Sequence, residues 1–235
     1  MHGTTPTDGF IPSASTIAGA PEQIPLFPLS GVVLLPGEVL PLHIFEPRYR
    51  TMIRDAITAQ KIIGMVEYEK TTPDPGPATE AIRRIGCAGF IADHKELPDG
   101  RFLIWLLGLE RFHVDRELEV DTPYRQARVV YTPVHDDVVA LAGLQSVRTE
   151  LRRTLPFLVE LEDSHRATLE SQLVEITDSQ LLALASQILE LPAPRKRQLL
   201  EATSQTDRFM LLFEDLYRHL DRNPADVGDP PPILN

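Results

Sequence analysis

The sequence predicts an α+β protein, in which a small mixed or antiparallel β-barrel is followed by a bundle of helices. Residues 24–131 consist mainly of short apolar runs separated by proline and glycine, which is typical of strands and turns. From about residue 136 onward, apolar side chains recur at the period of a helix. Asp99-Gly100 separates two long apolar runs, and this dipeptide favours a tight hairpin turn.

The first half contains five or six predicted strands and one helix. GVVLLPG and VLPLHIF are the first two apolar runs. Pro41 places the second run at a sheet edge or bulge, because proline has no N–H for a ladder. Pro47 then begins a helix of about three turns. The run KIIGMVEYE, a long hairpin over residues 85–118 and the run YRQARVVY complete the predicted barrel.

The second half predicts four or five helices joined by short connections. Pro156 kinks or divides the first of them. Asp178 is the predicted N-cap of the next, and Pro194 lies in the first turn of another. The last helix carries its apolar face at Phe209, Leu212, Phe213, Leu216, Tyr217 and Leu220.

These patterns predict four segments along the chain. Residues 1–22 form a disordered lead-in that is rich in Gly, Pro, Ser and Thr. Residues 23–133 form the β-barrel subdomain, and residues 134–221 form the helical subdomain. Residues 222–235 form a disordered tail.

Composition excludes several classes of partner. The net charge of −11, without a long basic stripe, disfavours nucleic acid and anionic membranes. No stretch reaches the roughly 18 apolar residues of a membrane span, and the N-terminus lacks the pattern of a signal peptide. A single cysteine, Cys87, excludes an internal disulfide and fits a reducing cytosol. We therefore expect a cytoplasmic protein that binds neither nucleic acid nor membrane.

No catalytic or cofactor motif is present. The sequence has no P-loop, no G-x-G-x-x-G, no G-x-S-x-G, no H-E-x-x-H and no paired C-x-x-C. His135-Asp136-Asp137 suits either a metal or, as we favour, a solvated helix cap. We interpret His43 as a solvent-facing or hydrogen-bonded strand residue, Cys87 as an inert core thiol and Trp105 as a core residue. The expectation is no enzyme activity, no cofactor and no metal.

Charge and an aromatic ring combine at the start of the predicted first helix. Cations oppose the macrodipole there, so Arg48 and Arg50 need another explanation. In the structural interpretation, Arg48 pairs with Glu46 and fastens the helix to the barrel. Arg50 would pair with Asp55 or Glu38. In the functional interpretation this is a polypeptide-binding surface, since Arg and Tyr are favoured at interfaces. The predicted peptide-binding residues are Phe45, Arg48, Tyr49 and Met52.

The sequence resembles the N-terminal, or substrate-binding, domain of Lon protease. IPLFPLSGVVLLPGEVLPLHIFEPRYRTMI is similar to the opening of stand-alone and RING-linked Lon-domain proteins. RRIGCAGFIADHKELPDGRFLIWLLGLERFHV and PYRQARV continue the resemblance, and DSQLLALASQILELPAPRKRQLLEATSQTDRFMLLFEDL is similar to the helical half. The resemblance implies a PUA-like pseudo-barrel with one inserted helix, followed by a helical bundle.

The same resemblance implies binding rather than catalysis. In full-length Lon the ATPase and Ser-Lys peptidase modules follow this region, and we expect the chain to end before either. The expected function is a non-catalytic module that recognises unfolded polypeptide or a partner protein, as an adaptor or quality-control factor. The alternative is a PUA-like module for a small molecule or RNA, which the net charge of −11 disfavours in the case of RNA. Apolar helix faces leave a homodimer open.

Overall fold

The chain divides between residues 133 and 134 into two units. The computed structural model describes residues 20–69, 80–134 and 143–222. Most of the predicted lead-in and tail therefore lies outside the described residues. The same holds for most of the proline-rich stretch over residues 71–80 and for the predicted helix cap at His135-Asp136-Asp137.

The described residues of the first unit form six strands and one helix, a number within the prediction, although the first strand precedes the predicted run GVVLLPG. The strands are β1 (Gln23–Leu29), β2 (Val39–Ile44), β3 (Ile62–Glu67), β4 (Ile85–Glu96), β5 (Phe102–Glu117) and β6 (Gln126–Tyr131). The helix α1 (Pro47–Thr58) connects β2 to β3. The hairpin turn between β4 and β5 lies at the predicted Pro-Asp-Gly, where Gly100 has a φ of 78° that favours glycine.

The six strands form one mixed sheet that closes into a barrel. Their order is β2-β5-β4-β3-β1-β6, and a further pairing of β5 with β6 closes the ring. Only β1 and β3 are parallel, with Leu26 opposite Gly64. The long strand β5 contacts β4 on one side, and on its other side it contacts first β2 and then β6. As a result β2 lies outside the closed ring, as an edge strand.

The run GVVLLPG was predicted as a strand, and the structure corrects this. Val33, Leu34 and Leu35 are buried but belong to no strand. Gly31 has a φ of 72°, which turns the chain just before them. The turn at Pro36-Gly37 is confirmed, since the Gly37 N–H donates to Gly108 O at 2.8 Å and Gly37 has a φ of 84°. Apolar character here reflects burial rather than strand pairing.

The second unit contains five α-helices among its described residues. They are α2 (Gln145–Thr154), α3 (Asp163–Glu175), α4 (Asp178–Ile188), α5 (Ala193–Glu201) and α6 (Gln205–Arg222). A short 3-10 helix, Leu155–Phe157, follows α2, so Pro156 does end the first helix. None of the helices in the described ranges combines the length and apolar character that a membrane span needs.

Two details of the helical prediction are corrected. Thr177, not Asp178, caps α4: its hydroxyl accepts from the Gln180 N–H at 3.3 Å, and the Gln180 side chain accepts from the Thr177 N–H. This reciprocal pair is a capping box. Tyr217 lies on the exposed side of α6, while Phe209 and Leu216 are fully buried. The buried face of this helix is therefore narrower than its apolar pattern suggests.

Candidate functional site

The edge strand β2 presents one face to solvent. Its residues alternate, so that Ile44 is buried while Val39, Pro41 and His43 are exposed. In the antiparallel register with β5, Pro41 lies opposite Trp105. Proline is tolerated here because its neighbours in the sheet lie on one side only. The predicted edge position of Pro41 is thus confirmed.

Together β2 and the first half of β5 carry an exposed apolar surface. We call it the outer face, and it consists of Val39, Pro41, Leu103, Trp105 and Leu107. Val39 is 47% exposed and Trp105 is 38% exposed. The alternate residues of β5, including Ile104 and Leu106, are fully buried and form the core side of the strand. Trp105 was predicted to be a core residue, and the structure places it on the surface.

Phe45 adjoins the outer face at the end of β2. Its side chain is 60% exposed, and its ring centroid lies 6.1 Å from that of His43. His43 in turn lies opposite Leu103. Of the four predicted peptide-binding residues, Phe45 is therefore the one that the structure leaves most accessible.

Arg48 lies at the start of α1 and has partners within the protein. Its guanidinium donates to Glu46 Oε2 at 2.9 Å, as predicted. It also lies 4.4 Å from the centre of the Tyr49 ring, a distance at which a cation and an aromatic face attract each other. The arginine side chain remains partly exposed beside the helix start.

Tyr49 and Met52 face the core and correct the predicted surface. The Tyr49 ring packs edge-on against Phe27, with centroids 4.6 Å apart. Its hydroxyl donates to Pro28 O at 3.5 Å, and burial raises the pKa of this phenol. Met52 is 0% exposed. A helix must bury one side to dock on a barrel, and these residues occupy that side of α1.

Asp55 and Arg50 do not form the predicted pair. Asp55 accepts a hydrogen bond from the Tyr124 hydroxyl at 2.7 Å. The Arg50 guanidinium lies against Gly100, where an added Cβ would collide with it. Both contacts join α1 to neighbouring turns of the same unit, so the charged stretch acts largely as an anchor for this helix.

A groove of about 510 Å³ lies beside the start of α1. Pro28, Arg48 and Tyr49 line one side, and residues 117–125 line the other. Burial and the hydrogen bond to Asp55 raise the pKa of Tyr124 to about 12. Sequence reasoning missed this groove because residues 117–125 meet α1 only through tertiary contacts, such as the one between Tyr124 and Asp55.

Comparison with known families shows which family the chain belongs to. A family model described as the ATP-dependent protease La (LON) substrate-binding domain matches residues 23–218. The chain belongs to this family. The matched part of Lon is its substrate-binding domain, which is the non-catalytic part of that protease.

Curated relatives of the chain are Lon proteases. The Lon protease of Anaeromyxobacter dehalogenans is 29% identical over 202 residues, which cover 84% of this chain and 23% of that protein. The Lon protease of Roseiflexus castenholzii is 34% identical over 122 residues, which cover 52% of this chain and 14% of that protein. The chain thus spans less than a quarter of the length of either relative.

Solved structures share the fold of this Lon substrate-binding domain. The crystal structure of a Lon N-terminal domain protein from Xanthomonas campestris aligns with a TM-score of 0.56 at 23% identity, covering 82% of this chain and 97% of that one. The N-terminal domain of Mycobacterium avium complex Lon protease aligns with a TM-score of 0.63 at 17% identity, covering 84% and 100%. The predicted α+β fold is confirmed.

Cys87 and Arg195 have internal contacts in this chain. Cys87 is fully buried, and its thiol donates to Ala88 O at 3.5 Å. Within the described part of the chain, no three His, Cys, Asp or Glu side chains come together as metal ligands. Arg195, one of three consecutive cations, donates to Asp215 Oδ2 at 2.6 Å and so ties α5 to α6. On the outer face, by contrast, Val39 and Trp105 remain 47% and 38% exposed.

Proposed function

We propose that this Lon substrate-binding domain binds unfolded polypeptide without catalysis, through the outer face and Phe45. The observation that carries the proposal is the exposure of Trp105, Val39 and Phe45 on one side of the barrel. Contiguous apolar surface on a soluble domain marks an interaction site, and tryptophan is among the residues that contribute most at interfaces.

The four predicted residues divide between contact with the polypeptide and support of α1. Phe45 contacts the polypeptide directly, and Arg48 contributes from the rim through its partly exposed guanidinium. Tyr49 and Met52 hold α1 against the barrel, which fixes the position of Phe45 at the junction between β2 and α1. This division follows the burial of each side chain.

The biological role that fits this chemistry is recognition of unfolded protein for a protease, as an adaptor or quality-control factor in the cytoplasm. Unfolded chains expose the apolar side chains that folded proteins bury, so an apolar surface selects them. Family membership supports this role, since the family is defined as a substrate-binding domain. RNA is a poor fit, because the outer face is apolar and the chain carries a net charge of −11.

Fluorescence anisotropy of a labelled, permanently unfolded polypeptide tests the proposal, with ATP absent. Saturable binding is expected, and the double variant Trp105→Ala/Phe45→Ala should weaken it by at least about tenfold. The matched control is Val130→Ala/Val174→Ala, which removes two apolar side chains that are exposed elsewhere, at 53% and 70%. The control should bind as the wild type does.

Each outcome distinguishes a different part of the proposal. Absence of saturable binding would contradict polypeptide binding as such. Equal weakening in the double variant and the control would indicate a non-specific apolar effect and would remove the outer face as the site. Weakening in Arg48→Ala alone would move the site to the groove beside α1.

A further inference from the structure

The outward edge of β2 has free strand-pairing capacity among the described residues. The sheet order places β2 at the end, with β5 as its one neighbour there. The Gly108 N–H donates to Glu38 O at 2.8 Å, so Glu38 and Gly108 are a hydrogen-bonded pair. In the β2–β5 register that follows, Val39 opposite Leu107 is the first non-hydrogen-bonded pair. Antiparallel ladder positions alternate, so Val39, Pro41 and His43 direct their backbone groups away from β5.

These three residues define what can bind at the edge. Val39 and His43 each present one N–H and one C=O, whereas Pro41 presents a C=O alone. The edge therefore offers two donors and three acceptors, spaced as along a strand. A second extended backbone supplies the complementary groups at that spacing, as it does in other cases of strand addition.

The same residues of a bound strand would hydrogen-bond to the edge of β2 and place their side chains against the outer face. Val39, Pro41 and His43 direct their side chains to the outer face. In an antiparallel pair, directly opposite residues have their side chains on one face of the sheet. The residues of an added strand that bond to this edge therefore place their own side chains beside the outer face, while the intervening residues point the other way.

The charges around the outer face favour an uncharged segment. In the register of β4 with β5, Asp93 lies opposite Trp105 and Lys95 lies opposite Leu103. Both side chains are exposed, and their formal charges cancel. This local neutrality contrasts with the net charge of −11 on the whole chain. A charged segment thus gains no attraction here, whereas an apolar one gains contact with Trp105.

We propose that β2 accepts an extended, uncharged polypeptide segment as an added strand, with apolar side chains at alternate positions on the outer face. The inference rests on the proposed function and specifies how the same site binds. Pro41 disfavours a second copy of this chain as the occupant. Two β2 strands paired antiparallel about Pro41 would lack both N–H donors at the central pair.

Backbone methylation of a peptide tests strand addition directly. The probe is a short fluorescein-labelled peptide in which valine and threonine alternate, measured by anisotropy against the wild-type protein. One version carries N-methyl groups on its valines, and the matched version carries them on its threonines. Valines that face Trp105 also bond to the edge, so methylating them should weaken binding at least about tenfold. Methylating the threonines should change it less than about threefold.

A second readout is amide hydrogen exchange of the protein saturated with the unmodified peptide. Exchange should slow at the Val39 and His43 amides, whose N–H groups point to the open edge, and stay unchanged at Val130. Equal binding by both methylated versions, without that protection, would overturn strand addition and leave the proposed function in place. Strand addition would also be overturned, with the proposed function left in place, if no version of the peptide bound while unfolded polypeptide still did. Failure of unfolded polypeptide itself would contradict the proposed function instead.

Self-pairing of β2 is a separate outcome of the same experiment. Sedimentation velocity over a range of protein concentrations would show self-pairing as a fraction of dimer that increases with concentration. A dimer that the unmodified peptide dissociates, with protection of Val39 and His43 before peptide is added, would assign the edge to a second copy and overturn the inference. A monomer at all concentrations is the expected result.

Discussion

The outer face includes part of β2, which directly precedes α1 in the sequence, but the side chains of the two regions differ in their contacts. Arg48 and Asp55 at the helix have internal partners, Glu46 and Tyr124, and Met52 is fully buried. Trp105 and its neighbours on the outer face remain exposed to water. The charged, aromatic stretch therefore anchors α1 to the barrel, whereas apolar side chains of the outer face remain exposed without a charged or aromatic sequence signal.

The largest expected effect is the loss of stability in Met52→Ala. Met52 is fully buried on the core side of α1, so the truncation leaves a cavity. The free energy of unfolding should fall by about 2–5 kcal/mol, as measured by urea denaturation. Phe45→Ala is the control: its side chain is 60% exposed, so the substitution should change the free energy of unfolding by less than about 0.5 kcal/mol. Similar losses in both variants would contradict the division into anchor and surface.

Gly108→Ala should damage the junction that holds β2 to β5. A Cβ at this position would collide with the Leu35 carbonyl oxygen, which belongs to the backbone and cannot move aside cheaply. We expect a loss of about 1–3 kcal/mol in urea denaturation, with faster amide exchange in β2. Gly143→Ala is the control, since open space surrounds that position. An unchanged Gly108→Ala variant would show that the junction is loosely packed.

Tyr124→Phe should weaken the anchor of α1 by a smaller amount. The substitution removes the hydrogen bond of 2.7 Å to Asp55 and keeps the ring. The expected loss is about 1–2 kcal/mol, because the acceptor is a carboxylate. Thermal denaturation of the variant beside Tyr131→Phe, whose hydroxyl donates to Pro21 O at 3.0 Å, compares a charged with a neutral acceptor. A larger loss in Tyr131→Phe would contradict this ranking.

Stability should fall in alkaline solution between about pH 10 and pH 12. Burial and the bond to Asp55 raise the pKa of Tyr124 from 10.0 to about 12, and burial raises that of Tyr131 to about 12. The unfolded chain then loses these protons at lower pH than the folded one, so stability is complete below pH 10 and declines above it. Denaturation at a series of pH values measures this. Tyr124→Phe should show a shallower decline, and an equal decline would assign it to other tyrosines.

The smallest expected effect is that of Arg48→Ala on stability. Its ion pair with Glu46 is partly exposed on both sides, and such pairs contribute no more than about 1 kcal/mol. The loss should shrink further at high salt, because screening weakens the pair. A double-mutant cycle with Glu46→Gln measures the coupling. A coupling well above 1 kcal/mol would show that Arg48 is a structural anchor as strong as Met52.

Much of the fold could be predicted because proline and glycine positions and the apolar pattern indicate the same helix ends and turns that the structure shows. Pro47 begins α1 and Pro156 ends α2, since a missing N–H and a fixed φ act locally. The tight turn at Gly100 is likewise a local property. By contrast α3 was not predicted as a separate helix, because Leu173 is its one buried residue and its sequence has little apolar period.

The candidate site could be predicted only in part. Phe45 was selected for its neighbours and proved accessible, but Trp105 was assigned to the core. The run FLIWLLG is apolar at every position, so no alternation distinguishes its two faces. Both faces became distinguishable only when β2 paired with one side of β5 and left Trp105 opposite Pro41.

The sequence by itself determined most of the element types, the edge position of β2 and the Lon substrate-binding family, because propensity, proline chemistry and motif similarity are properties of short segments. Only the tertiary structure decided which apolar and charged groups are used internally. Ring closure through β5 and β6 buries one face of β5, and docking of α1 buries Tyr49 and Met52. Burial depends on contacts between residues far apart in the chain, and no local pattern records them.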